Sequence, residues 1–463
     1  MSDTKDDPLK KLKAQLSALP DATVRERMIA LGFWPPGEPL PADPIDEANA
    51  RAALESDRAR LLAQAGTAEN PEKALRRERI RRLRESQKRR TLRKLERENE
   101  KKARRAAWDA ERAGRIVHAG EGVSAGLAQT GSNADQLTGL GLPVVHDASE
   151  LAERLGLSLS QLRFLTYHRR GATLVHYHRF GIPKKTGGIR AISAPKPALA
   201  RAQRWVLAQV LDKLEVRAPA HGFVRHRSIV TNAAPHVGRR VVLNLDLESF
   251  FPTVGFRRVK GLFRKLGYAE QVATLLALLC TEPPRVEARL DGKRLWIALG
   301  QRVLPQGACT SPAITNAICR RLDARLSGLA KHFGFTYTRY ADDLTFSGDD
   351  RSRVGRLLGC VRKVVTSEGF REHGDKTHVM GSGRRQEVTG VVVNQKLSTA
   401  RDERRALRAM LHNVARRGLA AENRDGHADF ASYLRGRVAF ACMVDPSLEP
   451  VLRPALDRAL ARG

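Results

Sequence analysis

Acidic residues are in short supply: 50 Asp and Glu stand against 82 Lys and Arg, a formal net charge of +32 at pH 7. A chain this basic repels itself until it meets a polyanion. Nucleic acid is the leading expected partner and an anionic membrane surface the second. Long apolar runs are missing as well. No stretch approaches the roughly 18 residues that a membrane-spanning helix needs, so no membrane partner is expected. The polar, acid-bearing residues 1–9 do not resemble a secretory signal. Cysteine is scarce. Cys280, Cys309, Cys319, Cys360 and Cys442 are scattered, odd in number and without a C-x-x-C pair. That pattern argues against a disulfide framework or a zinc module and for a reducing, cytoplasmic setting. What remains is ample: 463 residues with 42% hydrophobic content, enough for two or three folded units.

The chain changes character along its length. Residues 1–113 read as a helical, basic extension. Within it, residues 72–113 are crowded with Arg, Lys and Glu, and their apolar positions are sparse: Leu75, Ile80, Leu83, Leu92 and Leu95. That seam is too broken to sustain a coiled coil. A solvated charged helix and an RNA-gripping arm are both open readings, the Arg excess favouring phosphate contact. Residues 114–143, rich in Gly, Ser, Thr and Ala, read as a linker. Asp147 reads as a helix cap ahead of Leu151 and Leu155. From there on, helical patterns alternate with short β-rich runs, the signature of an α+β domain.

Two segments carry the chemistry. The β-rich run Val241 to Leu245 ends on Asp246, and a carboxylate at the end of a buried strand calls for a partner or a metal. Residues 335–347 hold two aromatic and β-branched arms around Asp342-Asp343, which predicts a hairpin with adjacent acids at its tip. A polar turn is the plain alternative. Neighbouring carboxylates instead suit a hard cation such as Mg²⁺, which also binds substrate phosphates. With Asp246 alongside, the three acids would form a two-metal site.

Tyr340-Ala341-Asp342-Asp343 resembles the catalytic box of reverse transcriptases, and Asp246 sits in what is similar to their first carboxylate motif. Companions follow in family order. Leu304-Pro305-Gln306-Gly307 resembles the motif beneath the incoming base, which implies nucleotide contacts for Gln306 and Gly307. Residues 182–190 resemble the fingers hairpin, with Lys184, Lys185 and Arg190 near the triphosphate. Lys376, in Gly374-Asp375-Lys376-Thr377, matches the family's general-acid lysine for pyrophosphate. Phe251 falls where the family carries an aromatic gate against a ribose 2′-hydroxyl; the plain alternative is that Phe250 and Phe251 are both core, and the spacing favours Phe251 as the gate. The resemblance implies a right-hand polymerase of α+β class. Residues 144–397 would form fingers and palm (antiparallel sheet), and residues 398–463 a helical thumb. Arg401, Arg404, Arg405, Arg408, Arg416 and Arg417 would lie on two helical stretches of that thumb. Two Mg²⁺ ions are the implied cofactors, with Mn²⁺ as substitute, and dNTPs the substrates.

Asn232-Ala233-x-x-His236 and Val388-Thr389-Gly390 are similar to the signature of bacterial retron reverse transcriptases, and on that likeness these five residues are expected to bind RNA. The resemblance covers roughly residues 150–460. It implies copying of a cognate structured noncoding RNA from an RNA 2′-hydroxyl, which yields single-stranded DNA branched to RNA (msDNA). RNA–DNA hybrid and single-stranded DNA are then partners. A host RNase H and an accessory effector protein in anti-phage defence complete the implied setting. A group II intron-like or other bacterial reverse transcriptase is the nearest rival, and a non-catalytic RNA-binding protein on a polymerase scaffold the next. Removal of residues 1–140 is expected to spare primer extension.

Overall fold

The computed structural model describes residues 20–39, 45–63, 71–184 and 187–461. The chain divides into two compact units, residues 1–107 and 108–463. Among the described residues no helix is long and apolar enough to cross a membrane.

The first unit is helical: Asp21–Ala30, Ile45–Ala63, and the part of the 44-residue helix Pro71–Gly114 that falls within it. Arg, Lys, Glu and Ala are good helix formers, and pairs one turn apart support them, as where Glu78 meets Arg81 and Arg82. Arg82 also pairs with Asp57, and Arg90 with Glu47, tying the two longer helices together. Leu83, Leu92 and Leu95 stay exposed, as the broken apolar seam predicted.

The second unit holds the main core, and it overturns one expectation. The stretch expected to be a linker is folded. Ile116, Leu127, Leu137 and Leu142 are buried in the same cluster as Val241 and Leu243. Two of its glycines, Gly120 and Gly126, serve close packing. A Cβ on Gly120, which has φ +116°, would lie 2.2 Å from the His168 carbonyl oxygen. Turn-rich and spacer-like sequences share a composition, which is why this one misleads. Asp147 caps the helix Ala148–Arg154 as expected, accepting from the Ser149 and Glu150 amides.

Eleven strands follow among the described residues: β1 (Gly171–Ala172), β2 (Tyr177–Pro183), β3 (Ile189–Pro195), β4 (Val241–Asp246), β5 (Arg285–Leu290), β6 (Lys293–Ala298), β7 (Phe335–Tyr340), β8 (Asp343–Gly348), β9 (His378–Gly381), β10 (Glu387–Val388) and β11 (Val391–Val392). β2 and β3 make a two-stranded hairpin, and β1-β6-β5 a small sheet. The central sheet has the order β7-β8-β4-β9, antiparallel throughout. β4 lies inside it, with Val241, Val242, Leu243 and Leu245 all buried. Apolar side chains from the helices Phe256–Lys265, Glu270–Cys280, Arg320–Phe333 and Val354–Ser367 join the strands' in one core. Every residue of Glu270–Cys280 after the first is buried.

The last helices, Arg401–Arg417, Phe430–Val444 and Glu449–Leu460, build a separate core around Leu411, Val414, Leu434 and Leu452. The six arginines expected on two stretches lie on one helix of 17 residues. Arg404 bends back to the Thr399 carbonyl, and the other five are exposed.

Candidate active site

The site begins with strand register. β4 pairs with β8 so that Asp246 stands opposite Asp343, the last pair of that ladder. β7 and β8 form a hairpin closed by Tyr340 opposite Asp343, which leaves Ala341 and Asp342 as a two-residue turn. Ala341 has φ +57°, a place where a hairpin turn of this length prefers glycine. Holding a residue with a side chain there costs about 1–3 kcal/mol, and the surroundings must impose it.

Those surroundings are a buried polar clamp that sequence reading missed. Arg339, with no exposed surface, donates to Asp323 through both Nε and Nη2 at 2.8 Å. Its Nη1 donates to Asn316 Oδ1 at 3.0 Å and to the Ala341 carbonyl at 3.1 Å. Tyr337 adds a hydroxyl hydrogen bond to Asp323 at 3.0 Å. Asn316 Nδ2 donates to the Gly222 carbonyl at 3.0 Å. Gly222 backs directly onto the turn: a Cβ there would lie 2.5 Å from the Ala341 amide nitrogen. One signal was available. Phe335, Tyr337 and Arg339 share a face of β7, and all three are buried. An arginine on the core face of a strand demands a buried carboxylate.

The electrostatics favour a cation. Burial pushes the Asp343 carboxyl up to about 7, with the charges of Asp342 and Asp246 adding to it. Asp342 is raised too, by burial and by Asp246, while Lys376 and Arg190 pull it back. Lys376 Nζ sits 2.8 Å from Asp246 Oδ2, and that hydrogen bond raises the lysine. Among the described residues no three His, Cys, Asp or Glu side chains are gathered as a ready-made ion cage. The donor set is nevertheless all hard oxygen, and burial holds two carboxyls above their ordinary range, with repulsion from neighbouring aspartates adding to it. A divalent ion relieves both conditions, so these residues fit one.

Of the other expected residues, Arg190 acts electrostatically on Asp342. Gln306 accepts from the Ser193 amide through its carbonyl at 2.7 Å, seating its loop on β3. A Cβ on Gly307 (φ +115°) would lie 2.8 Å from Ile192 Cγ2 and 3.0 Å from the Ser193 carbonyl oxygen. The two phenylalanines separate: Phe250 is buried, and Phe251 is half-buried against it at 5.5 Å. Arg190 pairs across the β2–β3 hairpin with Ile182, and Arg190 and Lys184 are exposed. Lys185 lies outside the described residues.

Three of the five residues expected to bind RNA need correction. Asn232, His236 and Val388 are fully buried. His236 is fixed between Ser347 Oγ at 2.6 Å and Thr338 Oγ1 at 2.7 Å. Burial lowers its pKa to about 3, with the charges of His221 and Arg239 contributing, so it is neutral at pH 7. Thr389 (φ +48°) and Gly390 (φ +83°) form the turn between β10 and β11. Asn232 Nδ2 donates to Thr389 Oγ1 at 3.4 Å. The two signature segments therefore meet each other and the back of the β7–β8 hairpin. They act as a seam, and only Gly390 is exposed.

Comparison with known proteins agrees with this geometry. Residues 182–396 match the family described as reverse transcriptase (RNA-dependent DNA polymerase). The retron Mx162 reverse transcriptase of Myxococcus xanthus is 47% identical over 360 residues, spanning 74% of this chain and 73% of the relative. The retron Mx65 reverse transcriptase of the same organism is 48% identical over 311 residues, 67% of this chain and 71% of the relative. The retron Ec86 reverse transcriptase of Escherichia coli is 32% identical over 316 residues, 68% of this chain and 89% of the relative.

Proposed function

The chain belongs to the bacterial retron reverse transcriptases, RNA-directed DNA polymerases of right-hand fold, and from that premise we propose that it copies a cognate structured RNA into msDNA. Synthesis starts from an RNA 2′-hydroxyl and leaves single-stranded DNA branched to RNA. The observation that supports this best is the register that sets Asp246 opposite Asp343, with Asp342 in the adjoining turn.

Asp246, Asp342 and Asp343 would hold two Mg²⁺ ions, or Mn²⁺ in their place. Such ions, when bound, activate the primer hydroxyl and stabilise the departing pyrophosphate. The chain's own residues do the rest. Asp343, near 7 while no cation is present, is deprotonated when it serves as a ligand. Lys184, Lys185 and Arg190 neutralise charge on the triphosphate. Lys376, held protonated by its contact with Asp246, donates a proton to the leaving pyrophosphate. Gln306 and Gly307 bound the floor under the incoming nucleotide. Phe251 rejects a ribose 2′-hydroxyl, which makes dNTPs the substrates. The exposed arginines of Arg401–Arg417 follow the RNA–DNA duplex through its backbone. A host RNase H trims the template, and an accessory effector couples the msDNA to anti-phage defence.

The test is made on nucleic acid from cells expressing the gene with its native flanking DNA, comparing wild type with Asp342→Ala. After RNase treatment, a short DNA present only in wild type and shifted by debranching enzyme is the expected result. Intact dNTP incorporation on a generic primed RNA template without that DNA would instead favour an intron-like reverse transcriptase. Loss of both from folded wild-type protein with its RNA expressed would point to a non-catalytic binding protein.

A further inference from the structure

The loop of residues 221–228, His-Gly-Phe-Val-Arg-His-Arg-Ser, is fixed at both ends and strained in the middle. At its start the His221 amide donates to the Arg339 carbonyl at 2.7 Å. Gly222 is wedged against Ala341, as described above. At its end Arg227 Nη1 donates to the carbonyls of Arg217 at 2.8 Å and Ala218 at 3.0 Å, and also to that of Ala220. Ser228 then caps the helix Ile229–Ala233. Between these anchors Phe223 and His226 both have φ +60°. Bulky residues rarely adopt that conformation, and such strain collects where function requires it.

The strain buries nothing. Phe223 is 60% exposed. The Arg225 side chain is 85% exposed, with a 3.6 Å contact to Asp212, and His226 is exposed as well. An aromatic face is thus held in water, flanked by a cation and an imidazole, one residue from the glycine that touches the carboxylate-bearing turn. An apolar protein partner would leave Arg225 stranded. A nucleic acid strand satisfies both groups, because unpaired bases stack on aromatic rings and phosphates pair with arginine.

We propose that Phe223 is a stacking platform for an unpaired template base at the polymerase centre, and that Arg225 grips the phosphate beside it. This rests on the reading of the Asp342–Asp343 turn as that centre. The test uses the full-length protein with a primed RNA template carrying 2-aminopurine at successive unpaired positions. In wild type, fluorescence is quenched at one template position. In Phe223→Ala it recovers at that position alone, the template–primer KM rises about tenfold, kcat at saturation moves less, and Phe223→Tyr behaves as wild type. The melting temperature of Phe223→Ala should not fall, since the change removes an exposed ring. If wild type extends the primer while no position differs between it and Phe223→Ala, the stacking site is wrong and the centre stands. If folded wild type fails to extend at all, the centre itself is misassigned and the proposal falls with it.

Discussion

Replacing Asp343 by Asn should make the protein more stable while ending synthesis. In the fold, with no cation bound, this carboxyl sits at about 7 instead of its ordinary 3.8. Each pH unit of that gap corresponds to about 1.4 kcal/mol, so the ionised form costs the fold about 4 kcal/mol. The sign follows from which state holds the proton. Below about pH 4 the group is protonated both folded and unfolded, and it costs nothing. Between about 4 and 7 the folded state keeps a proton that the unfolded state has released, so stability falls as pH rises. Above about 7 the loss is complete. Asn carries no such charge, and it also relieves Asp342. Urea denaturation in EDTA should therefore show Asp343→Asn ahead of wild type by up to about 4 kcal/mol at pH 8, with the gap closing by pH 4. Added Mg²⁺ should narrow the gap from the wild-type side, by about 2.7 kcal/mol at a hundredfold excess over Kd. A variant no more stable than wild type at pH 8 in EDTA would refute the crowding of these carboxylates.

Three further outcomes follow from the same geometry. Arg339→Met strands Asp323 in the core and should cost about 3–5 kcal/mol in denaturation. Pairing it with Asp323→Leu should recover most of that stability but not activity, because the Ala341 carbonyl stays unheld; wild-type extension by the double variant would sink the clamp. Phe251→Ala should raise ribonucleotide incorporation relative to dNTPs by about tenfold or more, read from single-nucleotide extension with rNTPs; unchanged discrimination would return Phe251 to the core. A chain of residues 108–463 should melt cooperatively and extend a generic primed template. A chain beginning at 141 should not, since it lacks Ile116, Leu127 and Leu137, each worth about 1.5–3 kcal/mol buried; equal melting of the two would contradict the packing of that segment.

How much could be read beforehand depended on whether a residue's meaning lies in its neighbours along the chain. Asp246, Asp342 and Asp343 declared themselves through strand-like flanks and an acid pair at a turn, and β4, β7 and β8 bring them to one end of one sheet. The central sheet and its helices follow from the same alternation. Arg339 was easy to pass over among 82 Lys and Arg: its place on the core face of β7 was the one signal, and its partner Asp323 lies on another element. Gly222 says nothing of Ala341 until the two backbones touch. Residues 114–143 misled because composition does not separate a slack spacer from a string of tight turns. Asn232 and His236 misled differently: a polar side chain in a signature suggests a ligand outside, whereas these two find their partners inside.

His236 carries a consequence for inheritance. A motif whose side chains fasten one part of a molecule to another can mark a family without encoding choice. His236 spans from the segment after Asn232 to the reverse side of the strands that deliver Asp342 and Asp343. Transplanting Asn232, His236, Val388, Thr389 and Gly390 between relatives should carry over the chassis and leave the selection of RNA behind. On the proposed function, whatever selects the RNA would then be written on outward-facing positions, away from this inner rivet.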